Sequence, residues 1–214
     1  MSEKLFTVPT DPYGLGYRLY ARKDLEIMPG LTLLVGCNGA GKTTLLKLLQ
    51  SKVEKTAENN DDIICLNYNN LVDGGTSSVG HALLSNKTEL AANLFIASEG
   101  EKIRMNIGHF AGKIGSRVRA NTSAKELWIF MDAIGSGMSI DAIVETKDFF
   151  HFIINENKHM QVYIIVATNE YEYTDGERCL DVGKMKYVQF SNYEEYKKYI
   201  LASRKRRDSQ EKPK

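Results

Sequence analysis

The residues Gly36-Cys37-Asn38-Gly39-Ala40-Gly41-Lys42-Thr43 fit the spacing G-x-x-x-x-G-K-[ST] at every position. That spacing suits a polyphosphate. Glycines let consecutive backbone N–H groups face one concavity, and the positive end of a following helix adds to the field there. In such a loop Lys42 reaches the outer phosphates, and the Thr43 hydroxyl is placed to ligate Mg²⁺. Gly36, Asn38, Gly39, Ala40, Gly41 and Thr44 complete the candidate cradle. Nucleoside-triphosphate binding is the strongest implication of the sequence.

Two further segments carry residue types for the same chemistry. Leu127-Trp128-Ile129-Phe130-Met131 is an apolar run that ends on Asp132. A carboxylate at the end of a buried strand is costly unless it meets a cation or donors. A Mg²⁺ beside the glycine-rich loop would supply that cation. Ala97-Ser98-Glu99-Gly100-Glu101 sets a hydroxyl and a glycine at the start of a helical pattern, where anions bind.

The string Asn38-Gly39-Ala40-Gly41-Lys42-Thr43-Thr44 resembles the phosphate loop of the ATP-binding-cassette (ABC) superfamily, particularly its DNA-repair and chromosome-maintenance branch. Residues 97–101 are similar to its signature motif, and 127–132 resemble its Walker B strand. Ser136-Gly137-Met138-Ser139 is similar to the loop that follows and crosses the dimer interface. The resemblance covers most of the chain. It implies Mg-ATP held between the loop of one subunit and Ser98 and Gly100 of another, hence an ATP-dependent homodimer. It implies catalytic roles for Lys42 and Asp132, and Mg²⁺ ligation by Thr43 and Asp132. It also implies an aromatic ring on the adenine, for which Tyr13 and Tyr17 are candidates, with Tyr20 nearby. Ser98-Glu99-Gly100-Glu101 and Asn169-Glu170-Tyr171-Glu172 resemble phrases of compact ATPases carried by tailed phages and prophages. The location implied is the cytoplasm of a bacterial cell.

The departures from the resemblance fall on hydrolysis rather than binding. Ala133 stands where the superfamily has a water-preparing Glu, and Asn169 where it has a His. No Gln lies between Gln50 and Gln161; Asn67 and Asn69 are the nearest amides, and Asn67 is the third metal-site candidate. Glu170 and Asp141 are candidate replacements for the missing carboxylate. Loss of a general base typically costs about 10²–10⁴-fold in rate. The first reading is therefore an ABC-type ATPase with slow or partner-activated turnover. The alternative is a non-hydrolysing, nucleotide-gated module that regulates a partner nuclease or DNA-processing factor. A third, a P-loop kinase, leaves Ser98 and Ser136–Ser139 without a role.

The elements that must position these residues follow from local pattern. Lys4–Val8 and Gly16–Ile27 read as antiparallel strands, and Leu31–Val35 as a buried strand. A helix from Thr43 to Lys55 carries Leu45, Leu46, Leu48, Leu49 and Val53 inward. Asp62–Asn67, Leu127–Met131 and Gln161–Ala167 read as further buried strands. Helices are expected over Val79–Ala97, Glu101–Ile114, Ser139–Asn157 and Tyr193–Arg206, and a hairpin over Cys179–Phe190. In the third of these helices Ile140, Ile143, Val144, Phe150 and Ile154 are expected inward, with Ser139 as N-cap and Asp141 at its positive end. Uniformly apolar strands alternating with helices imply an α/β P-loop fold. A mostly parallel sheet has helices on both faces, a small N-terminal antiparallel part and a short helical insert. Residues 1–202 are expected to form the ATPase domain, and 203–214 a basic, disordered tail.

Composition excludes more than it selects. The chain has 214 residues, 43% hydrophobic and 26% charged, which suits a globular domain and excludes collagen-like or disordered classes. Its longest apolar run, Val162–Ala167, falls far short of the roughly 18 residues that a membrane helix needs. Met1-Ser2-Glu3-Lys4 lacks the pattern of a signal peptide. Three separated cysteines and four scattered histidines form no zinc or disulfide framework. Net charge is +1, so any affinity for DNA must come from a local surface or from the basic end, which holds Arg204, Lys205, Arg206, Arg207, Lys212 and Lys214.

Overall fold

The computed structural model describes residues 3–14, 16–69 and 99–210. The helices expected over 79–97, and Ser98, lie outside the described residues. A two-stranded antiparallel sheet pairs β1 (Lys4–Thr7) with β2 (Asp24–Ile27). The main sheet has six strands: β3 (Gly30–Val35), β4 (Ile63–Asn69), β5 (Glu126–Asp132), β6 (Gln161–Ala167), β7 (Cys179–Asp181) and β8 (Lys186–Val188), in the order β4-β5-β6-β3-β7-β8. Every neighbouring pair in it is parallel except β7–β8. Helices α1 (Lys42–Ala57), α2 (Glu99–Ala120), α3 (Ile140–Glu156), α4 (Tyr171–Thr174) and α5 (Tyr193–Gln210) complete the fold.

Alternating side chains of the same strands feed two cores. Leu33, Val35, Ile129, Met131, Ile164 and Val166 face α2, α3 and α5. Leu34, Trp128, Phe130, Tyr163 and Ile165 face α1 and the β1–β2 ribbon. Burial on both faces explains why these strands read as unbroken apolar runs. Trp128 stacks on Tyr163 with ring centroids 3.9 Å apart, and Phe6 of the ribbon meets its edge at 5.6 Å. The parallel arrangement also brings the ends of β3, β5 and β6 to one edge, where ligand sites of open α/β sheets lie.

Three expectations need correction. Residues 16–23 are turns and bends rather than strand, with the Leu19 amide donating to the Thr10 carbonyl at 2.8 Å. Ile140 and Val144 are exposed; Ala142, Ile143, Thr146, Phe150 and Ile153 form the buried stripe of α3. Thr146 is accommodated there because its hydroxyl donates to the Ala142 carbonyl at 2.7 Å. Ser139 occupies the N-cap position of α3 without a side-chain capping bond. Finally, α5 runs to Gln210, so most of the segment expected as a disordered tail is helix. Arg206 in it pairs with the fully buried Asp181 at 3.2 Å.

Trp128→Ala should lower unfolding stability by about 3–5 kcal/mol, read by urea denaturation followed by circular dichroism. A loss below about 1 kcal/mol would contradict the central place given to this stack.

Candidate functional site

The glycine-rich loop leaves β3 at Val35 and enters α1 at Lys42. Two of its glycines are required by geometry. Gly39 and Gly41 have φ of 78° and 92°, where a side chain costs about 1–2 kcal/mol. A Cβ on Gly41 would also lie 2.6 Å from Leu19 Cδ2. The Tyr20 hydroxyl donates to the Gly41 carbonyl at 2.9 Å from beneath the loop. Lys42 folds back, its Nζ donating to the carbonyls of Gly36 at 2.7 Å and Cys37 at 3.2 Å. Burial pulls the Lys42 ammonium below the ordinary lysine value, partly offset by Cys37 and Asp132.

Asp132 closes β5, and its Oδ1 accepts a hydrogen bond from the Thr43 hydroxyl at 2.9 Å. The side chain is buried, so this contact and the nearby Lys42 compensate its desolvation. Two hard oxygen donors side by side at the glycine-rich loop fit Mg²⁺. That ion commonly takes one or two carboxylates and completes its shell with phosphates and water. Among the described residues no group of three or more His, Cys, Asp or Glu could hold a metal by itself.

A cleft of about 400 Å³ joins these groups. Asn38, Gly39, Gly41, Lys42, Thr43 and Thr44 line one side, and Asp132, Ala133, Gly135 and Ser136 the other. Ala167, Thr168, Asn169 and Glu170 close its end, and Tyr13 stands at its rim. Tyr13 is 56% exposed, and its hydroxyl lies 2.5 Å from Thr44 Oγ1. Gly36 and Ala40 belong to the loop without lining the cleft.

Several sequence candidates are placed differently. Tyr17 does not line the cleft. Asp141 sits exposed in the first turn of α3, away from it. The register sets Asn69, rather than Asn67, level with Asp132; Asn67 is level with Phe130. Gly100 is in the first turn of α2. Glu170, by contrast, reaches the site. Its side chain packs over Gly135, where a Cβ would collide with it. Ala133, between Asp132 and Gly135, holds the left-handed φ of 55°. Residue order alone named Glu170; nothing in the sequence announced Thr168 or the strained Ala133.

No protein-family model and no curated protein sequence matches this chain. Solved structures do. CbiO1 of Clostridium perfringens, part of the ABC transporter complex cbiONQ, aligns with TM-score 0.51 and 13% identity over 88% of each chain. An inward-facing putative metal-chelate type ABC transporter aligns at 0.51 and 12%, over 94% of this chain and 90% of its own. The ADP conformation of MJ1267, an ATP-binding cassette of an ABC transporter, aligns at 0.50 and 12%, over 95% and 99%. The chain has the fold of an ABC ATP-binding cassette. Among the described residues no helix is long and apolar enough to cross a membrane.

Burial first, and Glu172 second, hold the Glu170 carboxyl above its ordinary value of 4.5. As pH rises from there, the folded chain keeps this proton longer than the unfolded one. Glu170 therefore makes stability fall as pH climbs through the raised value, and the cost persists above it. In Glu170→Gln that fall should vanish from urea midpoints measured between about pH 4 and 8. An unchanged profile would show that the carboxyl is not held in the cleft.

Proposed function

We propose that this chain is an ABC-type ATP-binding protein that takes Mg-ATP in the cleft and closes on a second copy of itself. The observation that carries this reading is the junction of loop and strand: Lys42 folded into the glycine-rich loop, with the Thr43 hydroxyl 2.9 Å from Asp132 Oδ1. Thr43 and Asp132 would hold the Mg²⁺, which supplies charge neutralisation for the phosphates. Lys42 reaches the outer phosphates once released from the loop carbonyls. Tyr13 offers its ring to the base. Ser98 and Gly100 contact the nucleotide of the facing subunit, as the resemblance of residues 97–101 implies. The wording of the loop favours the DNA-repair and chromosome-maintenance branch, and the phrases Ser98-Glu99-Gly100-Glu101 and Asn169-Glu170-Tyr171-Glu172 favour a phage-like, cytoplasmic member with a nuclease or DNA-processing partner.

Hydrolysis is slow in this reading, because Ala133 carries no carboxyl. Glu170 orients the attacking water in its place, since it lines the same cleft as Asp132 and packs on Gly135. Its raised proton affinity makes it a better base than an exposed Glu. The alternative, a non-hydrolysing gated module, is favoured by Ala133 and Asn169, which stand where the superfamily has a Glu and a His.

Phosphate release separates the two. Wild type should turn over slowly, at or below about 10⁻² s⁻¹. Ala133→Glu should be faster, and Glu170→Gln slower by about 10²-fold. Equal rates in wild type and Glu170→Gln would reject Glu170 as the base and favour the gated module. In light scattering, saturating Mg-ATP should double the mass of Ala133-bearing wild type; a mass that stays monomeric would remove the dimer.

A further inference from the structure

Helix α5 touches the loops of the cleft from behind, once per turn, along one face. The Tyr196 hydroxyl donates to the Asn169 carbonyl at 2.6 Å, and the Tyr199 hydroxyl to the Val35 carbonyl at 3.2 Å. Ser203 Oγ accepts the Cys37 amide at 3.2 Å, and Ser203 is only 5% exposed. Arg206 pairs with buried Asp181 at the end of β7, which itself lies against β3. The Arg207 guanidinium occupies the space that a side chain on Gly39 would need. Positions 196, 199, 203 and 206–207 form a stripe of helical period. The rings of Tyr196 and Tyr199 pack on the core while their hydroxyls, with Ser203 and the arginines, make polar contacts, mostly to backbone beside the cleft.

Ser203 and Arg207 border a small cavity on the far side of the loop, with Leu19, Ala40 and Gly183. They do not line the cleft. Neither touches a ligand placed among Lys42, Thr43 and Asp132; any influence on it passes through the loop. That influence has a clear physical route. A phosphate cradle binds well only if its amides are already aimed, because ordering a glycine-rich loop on binding costs affinity. The Ser203 hydroxyl fixes Cys37, the second residue of the loop, Tyr199 fixes Val35 just before the loop, and Arg207 covers Gly39.

We propose that α5 is a positioning strut for the phosphate loop, with Ser203 and Arg207 as its positioning residues. The strut couples the C-terminal end of the chain to nucleotide affinity; the proposal rests on the phosphate-binding reading of the loop. By linkage, a partner that displaces α5 weakens nucleotide binding, and bound nucleotide tightens α5 onto the loop.

The test uses the full chain and Mg-mant-ATP as probe. Ser203→Ala removes one acceptor while favouring the helix. It should weaken the Kd about fivefold, the weight of one net hydrogen bond, with its thermal midpoint near that of wild type. Arg207→Ala, at a half-buried position, serves as a second variant and should weaken binding in the same direction. Hydrogen exchange of the nucleotide-free protein should speed up over residues 36–41 in both, while α3 is unchanged. Variant affinities within twofold of wild type, or unchanged exchange over 36–41, would overturn the strut. If wild type itself does not bind the probe, the nucleotide reading fails, and exchange over 36–41 still decides whether α5 holds the loop.

Discussion

Asp132 is a carboxylate at the end of a strand buried on both faces, and its contact with Thr43 is the interaction on which the cleft depends. The Thr43 hydroxyl lies at the first turn of α1, 89 residues earlier, and meets it at 2.9 Å. That contact is possible only because β3 and β5 run in the same direction on either side of β6. Their C-terminal ends then open on one edge, and the loops after β3, β5 and β6 share one concavity. Ala167, Thr168 and Glu170 arrive there for the same reason. The sheet keeps this geometry by burying its strands completely, with Leu33, Leu34, Leu127, Ile129, Ile164 and Ile165 at or near zero exposure.

Strands and loop were legible because their signals are local. β5 and β6 are uninterrupted apolar runs, and the glycine-rich loop is a spacing with a chemical reason. Residues 16–23 were not, since Tyr17, Leu19 and Tyr20 there look like strand. In fact Leu19 and Tyr20 are buried under the loop and turn the chain rather than extend it. The face of α3 was misread because Thr146 fills a stripe position through a bond to its own helix, while Ile140 and Val144 face out. The last helix was expected to stop at Arg206, and its extension to Gln210 was hidden by composition. Its inward face runs through Tyr196, Tyr199 and Ile200, which pack on the core, and then turns polar at Ser203 and Arg206, so the apolar period stops and the basic residues beyond resemble a solvated tail. Tertiary polar contacts of Ser203 and Arg206 hold that end, and such contacts leave no local trace.

At the site, the legible part is the part whose chemistry is fixed by neighbours in sequence: Lys42, Thr43 and Asp132. The adenine and water-handling groups depend on where loops travel. Tyr13 reaches the rim and Tyr17 does not, although both lie in the same turn-rich segment. Asn69 rather than Asn67 is level with Asp132, a difference of two residues that only the register fixes. Asp141 is exposed because the turn after β5, with Ala133 left-handed and Met138 bonded back to Gly135 at 3.2 Å, starts α3 outside the cleft.

Titration calorimetry of the wild-type chain with ATP, with and without Mg²⁺, addresses the loop–strand junction itself. One nucleotide should bind per chain with a Kd below about 1 mM, and chelating Mg²⁺ should weaken it, because Thr43 and Asp132 then lose the ion proposed to bridge them to the phosphates. An absence of binding at millimolar Mg-ATP, or an affinity indifferent to Mg²⁺, would contradict the assignment of this junction as a nucleotide site.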